Sequence, residues 1–152
     1  LSQVRCEIQR LMPDTCLDTC LIVTPLILDD FYDYMDVAAS IDDAIDDLDG
    51  RGVVQLATFH PKYQFAGTSV YDEENWTNRS PYPTFHLIQE EEVTRALHSF
   101  SEPEQVWERN VRVMRSTGRD KMQALLDQCF RAQLESDTSS GGASDSVSGS
   151  GT

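Results

Sequence analysis

Positive charge is scarce in this chain: 12 lysines and arginines stand against 26 aspartates and glutamates, a formal net charge of −14 over 152 residues. Such a field repels phosphate backbones and anionic bilayer surfaces, so neither nucleic acid nor a membrane is expected as a partner. The cations that do occur gather between Arg95 and Arg131, where they interleave with Glu and Asp, the pattern of a solvated helix rather than a basic stripe. Long apolar runs are also missing. Leu21 to Val23 and Leu26 to Leu28 are far too short to span a bilayer. The four cysteines, Cys6, Cys16, Cys20 and Cys129, form no Cys-x-x-Cys pair and have no histidine cluster beside them. That excludes the familiar zinc patterns and a dense disulfide framework, and it leads us to expect reduced thiols in an intracellular compartment, cytoplasm or organelle stroma. No glycine-flanked serine elbow, phosphate-binding glycine loop or internal repeat is visible. The sequence opens at Leu1 directly into a helical pattern, so any targeting segment lies outside what it can report.

What is present has the composition of a soluble globular domain, 39% hydrophobic and 25% charged. Leu1, Val4, Ile8 and Leu11 recur at helical spacing until Pro13. Cys20 to Thr24 is a short β-rich run closed by Pro25, and a long helix follows from about Asp29 to Leu48, ended by Gly50 and Gly52. Val53 to Phe59 is again β-rich, so a βαβ unit with parallel strands is the expected topology. Thr84 to Gln89 reads as a third strand. Val93, Ala96, Leu97 and Phe100 mark a short helix, and Ser101 with Glu104 forms a capping box for a helix carrying Val106, Trp107, Val111 and Met114. Gly118 separates this from a last helix, about Asp120 to Leu134. From Ser136 the chain turns to serine and glycine and is expected to be a disordered tail. The fold class is therefore α/β: one domain over residues 1–135, a small mostly parallel or mixed sheet of about three strands, and helices packed on it.

The nine aspartates between Asp29 and Asp49 superficially suggest calcium, but with Gly50 as the loop glycine the first and last ligand positions fall on Ile45 and Leu56. Asp42, Asp43, Asp46 and Asp47 instead share the helix face opposite Ile41, Ile45 and Leu48, a solvated face. Asn75-Trp76-Thr77 and Asn78-Arg79-Ser80 both fit a glycosylation consensus, yet the asparagines read better as turn formers or site residues.

The chemistry concentrates in one connection. From Phe59 to Leu87 the chain holds two histidines, one arginine, two asparagines, four tyrosines or tryptophans and three prolines. Connections beyond ~12 to 15 residues are usually functional or disordered, and these aromatics argue against disorder. His60 sits at the carboxyl end of a strand, where ligands collect in open parallel sheets. His86 lies inside the third strand, and the two imidazoles would converge if their strands are neighbours. A metal would then need a third ligand such as Asp72, but the spacing matches no zinc pattern and no metal is expected. The plainer reading of His86 is a hydrogen-bonded core histidine, while His98 falls off its helix's apolar stripe. Arg79, stiffened by Pro81 and Pro83, suits the carboxylate or phosphate of a small ligand, or else pairs internally with Asp72, Glu73 or Glu74. Asn110 falls within the stripe of Trp107, Val111 and Met114, and Arg109 beside it would reach the same pocket.

FHPKYQFA, NWTNRSPYP and the following HL resemble the domain-of-unknown-function family 1415, as do LIVTPLILDDFYDYMDVA upstream and ERNVRVMRSTG downstream. The resemblance covers roughly Leu21 to Leu126. It implies that His60, Tyr63, Gln64, Phe65, Asn78, Arg79, Ser80, Pro81, Tyr82, Pro83 and His86 are signature positions, with Arg109 and Asn110 in a second short motif. It implies no established reaction. The resemblance also implies an additional amino-terminal segment with an Asn-Leu-Cys-Pro motif and a further strand, so that this sequence is expected to be shorter than the family at its amino end.

The function expected is binding of a small anionic ligand, with or without turnover. His60 and His86 are the acid-base candidates, and Tyr63, Gln64, Asn78, Arg79, Ser80, Arg109 and Asn110 the ligand contacts. Two alternatives stand beside it. One is a non-enzymatic interaction module whose loop is internally satisfied and whose Tyr71 and Trp76 are exposed to a protein partner. The other is a metal-dependent hydrolase built on His60 and His86. Cofactor and oligomeric state are not legible.

Overall fold

In the computed structural model, residues 1–12, 17–98, 102 and 105–140 are described, with side chains to residue 130. Helix α1 (Ser2–Arg10) leads to strand β1 (Thr19–Val23), helix α2 (Phe31–Asp47) and strand β2 (Val54–Phe59). The long connection follows, with a 3-10 helix at Glu73–Thr77, then strand β3 (Thr84–Gln89) and helices α3 (Glu90–His98), α4 (Val106–Thr117) and α5 (Arg119–Ser140). The expected capping box at Ser101 and Glu104 lies outside the described residues.

The α/β class holds, but neighbouring strands run antiparallel. The sheet order is β1-β3-β2, and β3 pairs antiparallel with both partners. β1 and β2 therefore run in the same direction, as a βαβ unit requires, yet they do not touch. The chain returns through the connection and inserts β3 between them. β3 suits the centre because Phe85 and Leu87 are buried, and a central strand exchanges backbone hydrogen bonds on both edges.

One face of this sheet is the core. Ile8 from α1 and Leu11 just after it, Tyr34, Ala38, Ile41, Ala44 and Ile45 from α2, and Val54, Phe85 and Leu87 from the sheet form a single buried cluster. α2 keeps its place through local chemistry. The Asp30 carboxylate caps it by accepting from the Tyr32 and Asp33 amides at 2.8 and 3.2 Å, and its acidic face stays exposed. Past its end, Asp49 takes a left-handed φ of 55°, and Gly50 turns under the helix so tightly that an added Cβ would lie 3.1 Å from the Ile45 carbonyl oxygen.

Tyr34 ties α2 to the mouth of the connection. Its ring is fully buried and stacks on Phe85 at 4.5 Å, while its hydroxyl donates to the Thr84 carbonyl at 2.8 Å and accepts the Phe59 amide at 3.0 Å. Phe59 closes β2 and its partner Thr84 opens β3, so the phenol bridges the strands at the two ends of the connection. Burial raises the Tyr34 pKa, which keeps the bridging hydroxyl protonated.

Candidate functional site

His60 follows directly on β2 and is fully buried beneath the first turn of α2, its ring 5.0 Å from Tyr34 and 5.4 Å from Phe31. Both ring nitrogens are occupied. Nδ1 accepts the Lys62 amide at 3.0 Å, so the proton must sit on Nε2, which donates to the Leu28 carbonyl at 3.0 Å. Leu28 presents that carbonyl from a left-handed conformation, φ 64°, in the turn before α2. Burial lowers the His60 pKa, in keeping with a neutral ring that fixes the start of the connection. This geometry gives the ring a structural role and leaves no nitrogen open to a reactant.

His86 does not meet it. Directly opposed residues share a face of an antiparallel pair, and Phe85 opposes Thr58 while His86 opposes Ala57. Thr58 and His60 alternate onto the core face, so His86 lies on the other side of the sheet. There its Nε2 is 2.5 Å from the Thr19 hydroxyl, its ring is 6.3 Å from Phe59, and burial lowers its pKa. The expected convergence fails because in this register an even-numbered residue of β2 shares its face with odd-numbered residues of β3, so two even-numbered histidines fall on opposite faces. Among the described residues no cluster of histidine, cysteine, aspartate or glutamate is arranged to hold a metal.

The two histidines yield a pH prediction. A folded-state pKa held below the ordinary 6.5 means that stability is full above that value and is lost as the pH falls from 6.5 through the lowered pKa. Each ring contributes at most ~1.4 kcal/mol per pH unit across that window. Urea unfolding at pH 7 and pH 5 should show a smaller acid loss in His60→Gln than in the parent, and an identical loss would exclude His60 as a source.

The connection is a folded unit in its own right. Asn75 is fully buried at its centre: Oδ1 accepts the Phe65 amide at 2.9 Å, and Nδ2 donates to the Ser69 carbonyl at 2.7 Å. Asn78 ties the unit to β2, its Nδ2 donating to the Thr58 carbonyl at 3.0 Å and its carbonyl accepting the His60 amide at 3.1 Å. Gln64 donates to the Thr68 carbonyl at 2.5 Å and Ser80 to the Tyr82 carbonyl at 2.6 Å. Tyr63 packs its ring on Phe31 and Phe65 at 5.3 and 5.0 Å. Sequence reading recognised Asn75 only as one turn former among several. The fused Asn-x-Thr-Asn-x-Ser run was the available signal, since short polar amides in a long ordered loop must find backbone partners.

Arg79 neither opens freely to solvent nor pairs with Asp72, Glu73 or Glu74. Its Nε donates to the Tyr63 carbonyl at 3.3 Å and one terminal nitrogen to the Val70 carbonyl at 3.0 Å, while the guanidinium lies 4.6 Å over the Trp76 ring. Among the described residues it has no carboxylate partner and its second terminal nitrogen makes no hydrogen bond. A second arginine adds to this charge: Arg119, at the start of α5, lies 4.6 Å over the exposed ring of Tyr71 and also lacks an ion pair among the described residues. Burial, and then the charge of Arg119, lower the Arg79 pKa. Trp76 is 5% exposed, against the expectation of a protruding ring, and its indole N–H has no acceptor among the described residues.

Arg109 and Asn110 stay apart from this arrangement. Both are exposed on α4, as is Trp107 at 56%. The stripe expected from Trp107, Val111 and Met114 is narrower in fact. α4 rests on the 3-10 helix chiefly through Val111, with Arg115 bonded to Glu74 at 3.2 Å, so Asn110 turns to solvent and needs no buried partner.

These features define a small α/β domain with a three-stranded antiparallel sheet, its connection folded over a pair of aromatic-stacked arginines. A family model described as "Protein of unknown function (DUF1415)" matches residues 1–124, and the chain belongs to that family. Comparison with curated proteins and with solved structures finds no match for either.

Proposed function

We propose that the connection binds a small anionic ligand, a carboxylate or a phosphate, at Arg79 and Arg119. The observation that carries this reading is the missing counter-charge. Two guanidiniums close enough to interact, one of them part-buried, carry no carboxylate partner among the described residues, although the chain is strongly acidic. Like charges brought together cost free energy, and an anion shared between them would return it as charge-assisted hydrogen bonds. The Arg79 carbonyl contacts hold the guanidinium plane fixed and leave its remaining N–H groups for the ligand. Because His60 has both nitrogens engaged, the reading is of binding, with no acid-base step assigned to that ring.

Inorganic phosphate is the first probe. At constant ionic strength it should raise the melting temperature saturably, and Arg119→Ala should weaken the phosphate affinity about fivefold, roughly 1 kcal/mol. Arg119 is exposed, so the variant is expected to fold. A phosphate effect unchanged in Arg119→Ala contradicts the shared site.

A second reading, a protein-interaction module, is favoured by the exposed apolar residues Leu21, Val23, Leu26 and Ile27 on β1 and the turn after it. It predicts no phosphate response at all.

A further inference from the structure

A cleft of about 540 Å³ lies between the first turns of α2 and the segment that follows His60, within the usual size of a small-molecule site. Four aromatic rings on its wall succeed one another at steep angles. Phe31 and Tyr32 are 6.2 Å apart at 56°, Phe31 and Tyr63 5.3 Å at 64°, and Tyr63 and Phe65 5.0 Å at 68°. Rings inclined in this way line the cleft with aromatic surface in several orientations. Met35 adds a polarisable thioether. Gln64 contributes an amide whose nitrogen is bonded to the Thr68 carbonyl and whose oxygen has no partner among the described residues.

The electrostatics select the ligand. Among the described residues that line the cleft none is charged. Lys62, adjacent in sequence to Tyr63, is held by Asp29 at 2.8 Å, while Asp30 caps α2 and Asp33 and Asp36 lie in its first turns. An aromatic cleft at the start of an acidic helix, in a chain of net charge −14, attracts positive charge both through the ring quadrupoles and through the wider field. We propose that this cleft binds a small organic cation, a quaternary ammonium or protonated amine, with its charged head against Phe31, Tyr32, Tyr63 and Phe65. A protonated amine would also donate to the free Gln64 oxygen. Arg79 does not line this cleft, although its Nε donates to the Tyr63 carbonyl, and the cation would be held by side chains that the anion site does not use.

Choline and its uncharged isostere 3,3-dimethyl-1-butanol separate cation recognition from simple apolar filling. Titrations of the ¹⁵N-labelled protein followed at the Gly67 amide, which borders the cleft, should give saturable shifts with choline and at least about fivefold weaker binding of the alcohol. Tyr32 is 79% exposed, so Tyr32→Ala is expected to keep the fold and to weaken choline several-fold. Equal binding of alcohol and choline overturns the proposal, as does an unchanged choline affinity in Tyr32→Ala or the lack of any saturable shift up to about 50 mM choline, well above the range in which several ring contacts should act.

Discussion

Tyr34→Ala is expected to lower the stability of this domain by about 4 kcal/mol, the loss typical of emptying a buried aromatic position. The ring is completely buried between α2 and the sheet and stacks on Phe85, so little around it can collapse into the space. Tyr34→Phe isolates the second part of the role. Packing is kept, but the Phe59 amide and the Thr84 carbonyl lose their shared hydroxyl, which should cost about 2 kcal/mol. Urea unfolding of the two variants distinguishes these contributions. A Tyr34→Phe variant as stable as the parent would show that water replaces the bridge without loss, and that the phenol does not hold the strand ends together.

Asn75→Ala is the second large effect, and it is local. Removing the amide strands the Phe65 N–H and the Ser69 carbonyl inside the connection, a penalty of about 3 kcal/mol. The core cluster contains no residue of the connection, so most of this loss should appear as opening of the loop rather than unfolding of the domain. Hydrogen exchange at the Phe65 amide should accelerate about 100-fold, since each tenfold corresponds to ~1.4 kcal/mol. The same variant should lose its phosphate response, because the Tyr63 and Val70 carbonyls that fix Arg79 belong to the segment that opens. Unchanged exchange at Phe65 would mean that Asn75 is not what holds the loop closed.

The elements themselves were legible in the sequence. α2 announces itself by its apolar period and by Asp30 at its cap, and the residues of β3 alternate between buried and half-buried as a strand with one covered face should. Strand order was not legible, because the choice between pairing β2 with β1 or with β3 is made by contacts across the long connection. The same distance hid the role of His60. Its acceptor is a backbone carbonyl 32 positions earlier, exposed only because Leu28 turns left-handed, and no side-chain pattern reports that. His86 was misplaced for a related reason: alternation gave each histidine a face within its own strand, but the register between strands decides whether those faces coincide. Arg79 stood out in the sequence as an unusual charge. That it would bond carbonyls rather than carboxylates, with Arg119 nearby and Trp76 beneath it, depends on how α5 meets the connection.

Trp76 lies directly under the Arg79 guanidinium, and Trp107 is the only other tryptophan, so Trp107→Phe turns the indole into a reporter on the proposed site. In that variant, titrating inorganic phosphate at fixed ionic strength should change the Trp76 emission along a saturating curve, and adding Arg79→Ala should abolish the change while the urea transition remains cooperative. An emission that ignores phosphate, or that drifts linearly with it and does so equally in the Arg79→Ala protein, would contradict an anion site at this arginine pair.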